Sequence, residues 1–209
     1  MKDFELLNVK GTWAEVLDAC RSTVSKEYLN KEPSDKFKRA IIVAEHSPIR
    51  IRFFKWVWRN LPYWVSTHFA RHHAGFEKWI STQRNDRQDN YDREKAPQDA
   101  PVTFMAEGNT QALINMAKVR LCFTAAKATR DKMVELKKEV KKVDKATAWG
   151  MVPSCIYRGG CTEKGLGVKC NFYEKFLERH PEITASTSIE ERYDIYYEEF
   201  FGEKFQVII

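Results

Sequence analysis

The stretch RHHAGFEKWISTQR, residues 71–84, begins with three adjacent side chains that can carry positive charge, Arg71, His72 and His73. After seven more residues comes Ser81, followed by Arg84. A basic cluster of this kind is costly to bury unless an anion compensates its charge. Phosphate does so well, because guanidinium groups bind it through paired, charge-assisted hydrogen bonds. A solvated basic helix end, which interacts with its own C-terminal dipole, is the simpler interpretation and remains open.

Strand and helix patterns precede this stretch. Apolar and basic residues alternate in IRIRFFKWVW, residues 49–58, which predicts a strand with a bulge at Phe53–Phe54. Leu61–Pro62 predicts a turn into a helix that runs towards Arg71, because proline is favoured at the first helical position. Residues 82–101 are polar and contain two prolines, which predicts a loop.

Helical spacing of apolar residues predicts that much of the remaining chain is helical. The predicted helices span residues 12–26, 34–45, 111–145, 171–179 and 188–201. Capping boxes mark two of the starts, at Thr12 with Glu15 and at Ser188 with Glu191. The predicted buried face of the second helix consists of Phe37, Ala40, Ile41 and Ala44, and the apolar stripe of the long helix of Met133, Leu136, Val140 and Val143.

Four motifs, in the same order along the chain as in the family, resemble those of flavin-dependent thymidylate synthases. The family carries RHR, seven arbitrary residues and Ser, and RHH followed by Ser81 departs from this only at the third position. Upstream, EHSP at residues 45–48 is similar to a His-x-x-Pro-like segment, with the histidine displaced by one position. Arg93 and Pro97 match an Arg followed four residues later by Pro. The helix segment NTQALINMAKVR, residues 109–120, matches the family's Asn, Leu-x-Asn and Arg, and the resemblance covers roughly residues 45–125.

The resemblance implies an α+β fold, in which helices flank a curved, largely antiparallel sheet and a long helix follows residue 110. It implies FAD as the cofactor, with NADPH and methylenetetrahydrofolate as co-substrates. The reaction would transfer a one-carbon unit to a pyrimidine deoxynucleotide, most simply converting dUMP to dTMP. The site would lie between subunits of a homotetramer, and no cysteine nucleophile would be required. Since no G-x-G-x-x-G follows a strand, any flavin is held without a Rossmann-type site.

The resemblance also implies roles for individual residues. The flavin site would contain Ser47, Arg71, His72, His73, Asn109 and Asn115. The nucleotide site would contain His68, Ser81, Arg84, Arg93 and Arg120, with Ser81 and Arg120 as the catalytic residues. An Asn in a helix is more often a cap or a solvated residue, which is the simpler interpretation of both asparagines.

Three departures from the family pattern bear on the activity. His73 replaces an arginine, and histidine titrates near neutrality. The segment between Arg87 and Arg93 is shorter than in the family, and Thr124 stands where a histidine is expected. The departures leave two alternatives open, namely a different product such as a hydroxymethylated pyrimidine, and a relative that binds nucleotide without turnover.

A second candidate site is MVPSCIYRGGCTEKGLGVKC, residues 151–170. Cys155, Cys161 and Cys170 in this glycine-rich segment are candidate zinc ligands, with Cys122 or His180 as a fourth. The segment lacks the C-x-x-C pairs of typical zinc sites, and buried free cysteines are the favoured interpretation.

Composition narrows the class of protein. The chain has 209 residues, five cysteines and a net charge of +6, and 43% of its residues are hydrophobic. The odd cysteine count fits a reducing compartment, and no apolar run approaches the ~20 residues of a membrane helix. The start, MKDFELLNVK, lacks the apolar region of a secretory signal. We therefore expect a soluble, cytoplasmic protein with one domain over residues 1–209, including a helical C-terminal extension at 171–209.

The net positive charge favours anionic partners without selecting one. The basic run at residues 127–145 contains interspersed acids, which favours a solvated helix face over a nucleic-acid interface. A nucleic-acid-binding module with a cysteine-held zinc is the alternative from another functional class.

Overall fold

The computed structural model of the chain describes residues 2–88, 91–167 and 169–205. Within these ranges, a four-stranded sheet has the strand order β1-β2-β4-β3, and every neighbouring pair is antiparallel. The strands are β1 (Phe4–Lys10), β2 (Phe53–Pro62), β3 (Phe76–Ile80) and β4 (Pro101–Asn109). This combination of helices with an antiparallel sheet confirms the predicted fold class.

Nine α-helices lie in the same described ranges. They are α1 (Trp13–Ser22), α2 (Asp35–Val43), α3 (Tyr63–Ala70), α4 (Thr110–Arg120), α5 (Lys127–Val143), α6 (Lys145–Gly150), α7 (Ser154–Arg158), α8 (Phe172–Arg179) and α9 (Ile189–Phe201). Both predicted capping boxes are present, at the starts of α1 and α9. None of the described helices is long and apolar enough to cross a membrane.

The prediction that the strand begins at residue 49 is wrong. Residues Ser47–Ile51 form a 3₁₀ helix, and β2 begins only at Phe53. Pro48 lies at the start of this helix, where its fixed φ suits a turn and its missing N–H is tolerated. The predicted bulge at Phe53–Phe54 is also wrong, because both residues pair regularly with β4. The irregularity of β2 lies between Trp58 and Leu61.

The long helix predicted after residue 110 is two helices, α4 and α5, and the predicted helical region is otherwise present. The chain leaves the helical path after Leu121, which is buried in the core. In the connection, the Arg130 guanidinium donates hydrogen bonds to the carbonyls of Phe123 and Ala125. Tertiary contacts thus satisfy carbonyls that a continuous helix would have used. Three residues of the predicted stripe are buried, but Val143 is 52% exposed.

The predicted buried face of α2 is rotated in the structure. Arg39 and Ile42 are buried, whereas Ala40 and Ala44 are exposed. The Arg39 guanidinium lies 4.8 Å from the centre of the Trp149 ring and pairs with Asp194 of α9. A stacked and paired arginine can be buried, which an apolar pattern does not anticipate.

Two apolar cores hold the elements in place. The first lies between the sheet and α3, α4 and α5, and its largest members are Trp56, Trp58, Phe69 and Phe104. The second joins α2, α6, α7, α8 and α9 around Trp149, Phe176 and Tyr197. Helix α4 contributes Leu113 and Met116 to the first core and Ile114 to the second, so it is shared by both.

A buried ion pair connects the two cores. The Asp144 carboxylate accepts hydrogen bonds from Arg52 Nε at 2.6 Å, from Trp13 Nε1 at 3.1 Å and from the backbone N–H of Thr147 at 2.9 Å. Arg52 also donates to the carbonyl of Gly11 at 2.8 Å. One carboxylate therefore joins α1, the start of β2 and the start of α6.

We expect Asp144→Asn to destabilise the protein by about 3–5 kcal/mol, because it leaves the buried Arg52 charge uncompensated. The measurement is the free energy of unfolding from urea denaturation. Asp131→Asn is the matched control, since Asp131 makes an exposed ion pair with Lys127, and such pairs contribute roughly 0–1 kcal/mol. Equal effects of the two substitutions would contradict a structural role for Asp144.

Lys137 of α5 is fully buried, and its Nζ has no hydrogen-bond partner among the described residues. Nζ lies 4.4, 4.2 and 5.3 Å from the ring centres of Tyr196, Phe200 and Phe201. Cation–π attraction of about 0.5–2 kcal/mol per ring offsets part of the desolvation penalty of several kcal/mol. Burial prevails and holds the pKa of Lys137 well below its usual value of 10.5.

Lys137→Met should stabilise the protein by about 1–4 kcal/mol, since an apolar side chain of similar size suits the site. The gain should be largest at low pH, where both folded and unfolded lysine are protonated. It should shrink as pH rises from the folded pKa towards 10.5, because there only the unfolded state keeps the proton. Urea denaturation at several pH values measures this, with the exposed neighbour Lys138→Met as control. A pH-independent gain would contradict the lowered pKa, because it would mean that Lys137 binds its proton equally well in the folded and unfolded states.

Candidate functional site

The residues of the RHH motif lie where α3 ends and the chain turns into β3. Arg71 is the C-terminal cap of α3, and the backbone N–H of His72 bonds to the carbonyl of Phe69. Gly75 completes the turn with a φ of +67°, a conformation that favours glycine. A Cβ at Gly75 would overlap the side-chain amide of Asn109, so the turn packs directly against the start of α4.

Arg120, the last residue of α4, meets this turn from the other side. Its Nη2 donates to the carbonyl of His68 at 2.6 Å, and its Nε donates to Nε2 of His72 at 3.1 Å. His72 therefore presents an unprotonated Nε2, which makes it the neutral tautomer with the proton on Nδ1. His68 Nδ1 lies 2.7 Å from the hydroxyl of the buried Thr129 on α5.

Lys78 of β3 extends the cluster. Its Nζ donates to the carbonyl of His72 at 2.8 Å and lies 3.3 Å from Nδ1 of His73. Arg71, His68, His72, His73, Lys78 and Arg120 together are called the cation cluster below. Two members, Arg71 and His73, are exposed. The other four, His68, His72, Lys78 and Arg120, are partly buried.

Every charged neighbour that shifts the pKa values in the cation cluster is a cation. Burial lowers the pKa of His72 to about 4, helped by the charges of Arg120, Lys78 and His73. Burial also lowers the pKa of His68, with Arg120 and Arg71 acting in the same direction. The pKa of Arg120 is lowered by burial and by Arg71. Within the described residues no carboxylate forms an ion pair with Arg71, Lys78 or Arg120, so the cluster presents uncompensated positive charge.

The other candidate flavin residues lie around α4. The side-chain oxygen of Asn109 caps that helix by accepting from the backbone N–H of Ala112 at 2.9 Å. The exposed Asn115 accepts from Gln111 at 3.1 Å, and Gln111 also donates to Glu45. Ser47 is exposed at the start of the 3₁₀ helix that follows Glu45.

Three candidate nucleotide residues have other partners than the cation cluster, or are exposed, in a single chain. Ser81 connects the end of β3 to β4, because its hydroxyl accepts a hydrogen bond from the backbone N–H of Thr103 at 3.0 Å. Arg84 forms an exposed ion pair with Asp86 at 2.6 Å. Arg93 is also exposed, and the loop carrying it is tied to Arg84's neighbour Asn85. In the described ranges, no hydrogen bond or ion pair joins these three residues to the cluster.

Sequence reasoning did not identify Lys78 or Thr129. Lys78 shares one face of β3 with the buried Phe76 and the partly buried Ile80, which the two-residue period of a strand would have indicated. The strand itself was not predicted, so neither was this face. Thr129 carries no signal in the sequence, because its contact with His68 depends on how α5 packs.

The predicted zinc ligands gather around one cavity of about 290 Å³. Cys122, Cys155, Cys161 and Cys170 all line it, whereas His180 instead lies 2.7 Å from the carboxylate of Glu199. Burial raises the pKa of Cys155 to about 12, and Cys122 and Cys161 act in the same direction. In the parts of the chain described, no three His, Cys, Asp or Glu side chains stand close enough together to hold a metal ion. All five cysteines are free thiols.

Two solved enzyme structures are similar in fold to this chain. A UMP/dUMP methylase, PolB, from Streptomyces cacaoi, bound with 5-Br dUMP, matches over 70% of this chain and 93% of its own, with a TM-score of 0.58 and 14% identity. The flavin-dependent thymidylate synthase ThyX from Helicobacter pylori, complexed with FAD and dUMP, matches over 72% of this chain and 100% of its own. Its TM-score is 0.60 and its identity 12%.

The chain thus has the fold of flavin-dependent thymidylate synthases, at low sequence identity. No protein-family model matches the sequence, and no curated protein is detectably similar in sequence. The fold agrees with the resemblance found in the motifs of residues 45–125.

Arg120→Gln should raise the pKa of His72 above its value of about 4, because the nearest positive charge is removed. The pKa should stay below 6.5, since burial remains the larger cause. NMR titration of the imidazole signals measures the shift. Arg59→Gln is the control, because Arg59 pairs with Glu5 elsewhere on the surface. An unchanged His72 titration would contradict the proximity of the two groups.

Proposed function

We propose that this protein is a divergent flavin-dependent thymidylate synthase, which transfers a one-carbon unit to a pyrimidine deoxynucleotide. The simplest reaction is the conversion of dUMP to dTMP. The observation that carries the proposal is the cation cluster, which is partly buried and has no carboxylate partner in the described ranges. Such a cluster is unfavourable unless an anionic ligand compensates it.

The geometry of Arg120 suits a phosphate or a pyrimidine carbonyl. Two of its nitrogens hold the end of α3, which fixes the orientation of the guanidinium plane. Its Nη1 makes no hydrogen bond within the described residues and is left for a ligand. A guanidinium fixed in this way loses little conformational entropy on binding.

His72 would add a hydrogen-bond donor to the site. Because Nε2 of His72 is occupied by Arg120, its Nδ1–H is the group that remains to donate a hydrogen bond. The low pKa of His72 keeps this ring neutral across physiological pH, so it would act as a hydrogen-bond donor and not as a charge. Lys78, whose Nζ lies beside His73, supplies a permanent charge near the position where the family carries its second arginine.

The residues fit a flavin in their chemistry. Arg71, His73 and Lys78 would balance the phosphates of FAD, and Asn115 is exposed on α4. Asn109 is committed to capping α4 through its oxygen, so only its amide nitrogen is left to contact a ligand. FAD would supply the redox chemistry, with NADPH as the reductant and methylenetetrahydrofolate as the carbon donor.

A complete site would require more than one subunit. Ser81, Arg84 and Arg93 are exposed, and within the described residues no hydrogen bond or ion pair joins them to the cation cluster. We propose that a neighbouring subunit of a homotetramer brings its copies of these residues to the cluster. This arrangement is also the one that the family resemblance implies.

A nucleic-acid interface has less support. Lys127, Lys132 and Lys142 on α5 form ion pairs with acids on the same helix. The positive charge of this face is therefore largely compensated locally, which weakens a phosphate-binding field.

The test begins with the absorption spectrum of the purified protein, before and after addition of FAD and desalting. We expect retained flavin bands that change when dUMP is added. Arg120→Ala should weaken dUMP binding roughly 10- to 150-fold, as loss of a charge-assisted hydrogen bond costs about 1.5–3 kcal/mol. Arg59→Ala should bind as the wild type does, and circular dichroism should show both variants folded.

Different outcomes distinguish the alternatives. Turnover of dUMP with NADPH and methylenetetrahydrofolate supports the synthase. Flavin and dUMP binding without turnover favours another carbon donor or a non-catalytic relative. A wild-type protein that binds neither flavin nor dUMP, at any subunit concentration tested, would overturn the proposal.

A further inference from the structure

The chain leaves α2 through a residue with a strained backbone. Glu45 has a φ of +48°, in the left-handed region that glycine normally occupies after a helix. Its backbone N–H bonds to the carbonyl of Ile42, and that of His46 bonds to the carbonyl of Ile41, which closes the end of α2. A side chain in this conformation costs stability. Strain of this kind at a single residue indicates that its side chain has a role.

The Glu45 carboxylate binds two residues of α4. It accepts a hydrogen bond from Nε2 of Gln111 at 2.6 Å and forms an ion pair with Lys118. The Lys118 Nζ also lies 4.0 Å from the centre of the Tyr157 ring. Gln111 and Lys118 are about two helical turns apart, so they lie on one face of α4. Glu45 therefore connects the end of α2 to this face.

Contact with Glu45 determines how the side-chain amide of Gln111 is oriented. An ionised carboxylate only accepts hydrogen bonds, so Gln111 must present its Nε2, and not its oxygen, to Glu45. The Oε1 of Gln111 is buried and has no hydrogen-bond partner among the described residues. A buried acceptor without a partner is unfavourable. The amide keeps this orientation because the opposite one would place two oxygens against each other.

Gln111 in turn orients Asn115, which lies about one turn further along α4. The same Nε2 donates a hydrogen bond to Oδ1 of Asn115 at 3.1 Å. Asn115 is exposed, and its Nδ2 makes no hydrogen bond within the described residues. With its oxygen held by Gln111, Asn115 presents its N–H groups to a ligand.

We propose that Glu45 is a positioning residue of the flavin site, which acts through Gln111 to hold Asn115 as a donor to a carbonyl oxygen of the isoalloxazine ring. This inference rests on the proposed function and adds to it the direction of one hydrogen bond and the two residues that set that direction. An amide that is oriented before the ligand arrives loses little conformational entropy on binding.

The test is a double-mutant cycle on the full chain, with the dissociation constant of FAD as the measurement. Asn115→Ala should weaken FAD binding roughly 2- to 10-fold, as expected for the loss of one neutral hydrogen bond. Glu45→Gln should cause a similar loss, because a neutral amide no longer selects one orientation of Gln111. The double variant should bind no more weakly than Asn115→Ala alone, since Glu45 acts through Asn115.

Lys118→Gln is the matched control. It breaks the same ion pair as Glu45→Gln but leaves the hydrogen bond between Glu45 and Gln111 in place. Urea denaturation should therefore show comparable losses of stability for the two variants, whereas FAD affinity should fall only in Glu45→Gln. The visible bands of bound FAD should shift in Glu45→Gln and Asn115→Ala, because a hydrogen bond to the ring carbonyl is lost, and should be unchanged in Lys118→Gln.

Three outcomes would overturn the inference. Additive losses in the double variant would show that Glu45 does not act through Asn115. Equal losses of FAD affinity in Lys118→Gln and Glu45→Gln would assign the effect to the ion pair. If FAD binds Glu45→Gln as it binds the wild type, while Arg120→Ala still weakens dUMP binding, this inference fails and the proposed function stands. A wild-type chain that binds no flavin would remove both.

Discussion

The architecture depends on the buried ion pair between Arg52 and Asp144. Through Asp144 it joins α1, the start of β2 and the start of α6, and the carbonyl of Arg52 accepts a hydrogen bond from the N–H of Thr110. That bond sets where α4 begins. Since α4 is a rigid rod shared by both cores, the position of its first residue determines the position of Arg120 at its far end. A buried charge pair at one end of the helix thus helps to place the Arg120 guanidinium at the other.

Arg52 and Arg120 lie in opposite electrostatic environments. Arg52 is fully compensated by a carboxylate and carries no free charge into the protein. Arg120 lies near the positive charge of Arg71, and its hydrogen bonds go to a carbonyl and to a neutral imidazole. The second arrangement costs stability in the free protein, and the binding of an anion would relieve that cost. Proteins tolerate such local costs at functional sites, because the ligand repays them on binding.

The fold alone does not establish the chemistry, since one fold supports different activities. We propose a nucleotide enzyme because this fold coincides with a cation cluster built from the motif residues. Within that cluster, His73 departs from the motif of the family that the sequence resembles. Lys78 approaches His73 from β3, with its Nζ 3.3 Å from Nδ1 of the histidine. The four-cysteine cavity, at the same end of α4, has no counterpart in the motifs from which the resemblance was drawn.

The sequence by itself determined features that depend on neighbours along the chain. Both capping boxes, the helix after Pro62 and the order of the four motifs could be predicted, because each is set within a few residues. The tertiary structure alone decided the break after Leu121, the burial of Arg39 and the approach of Lys78 to His73. It also decided that cysteines from three segments share a cavity. These features depend on contacts between residues that are far apart in the chain, and the energy of such contacts is not contained in any local pattern.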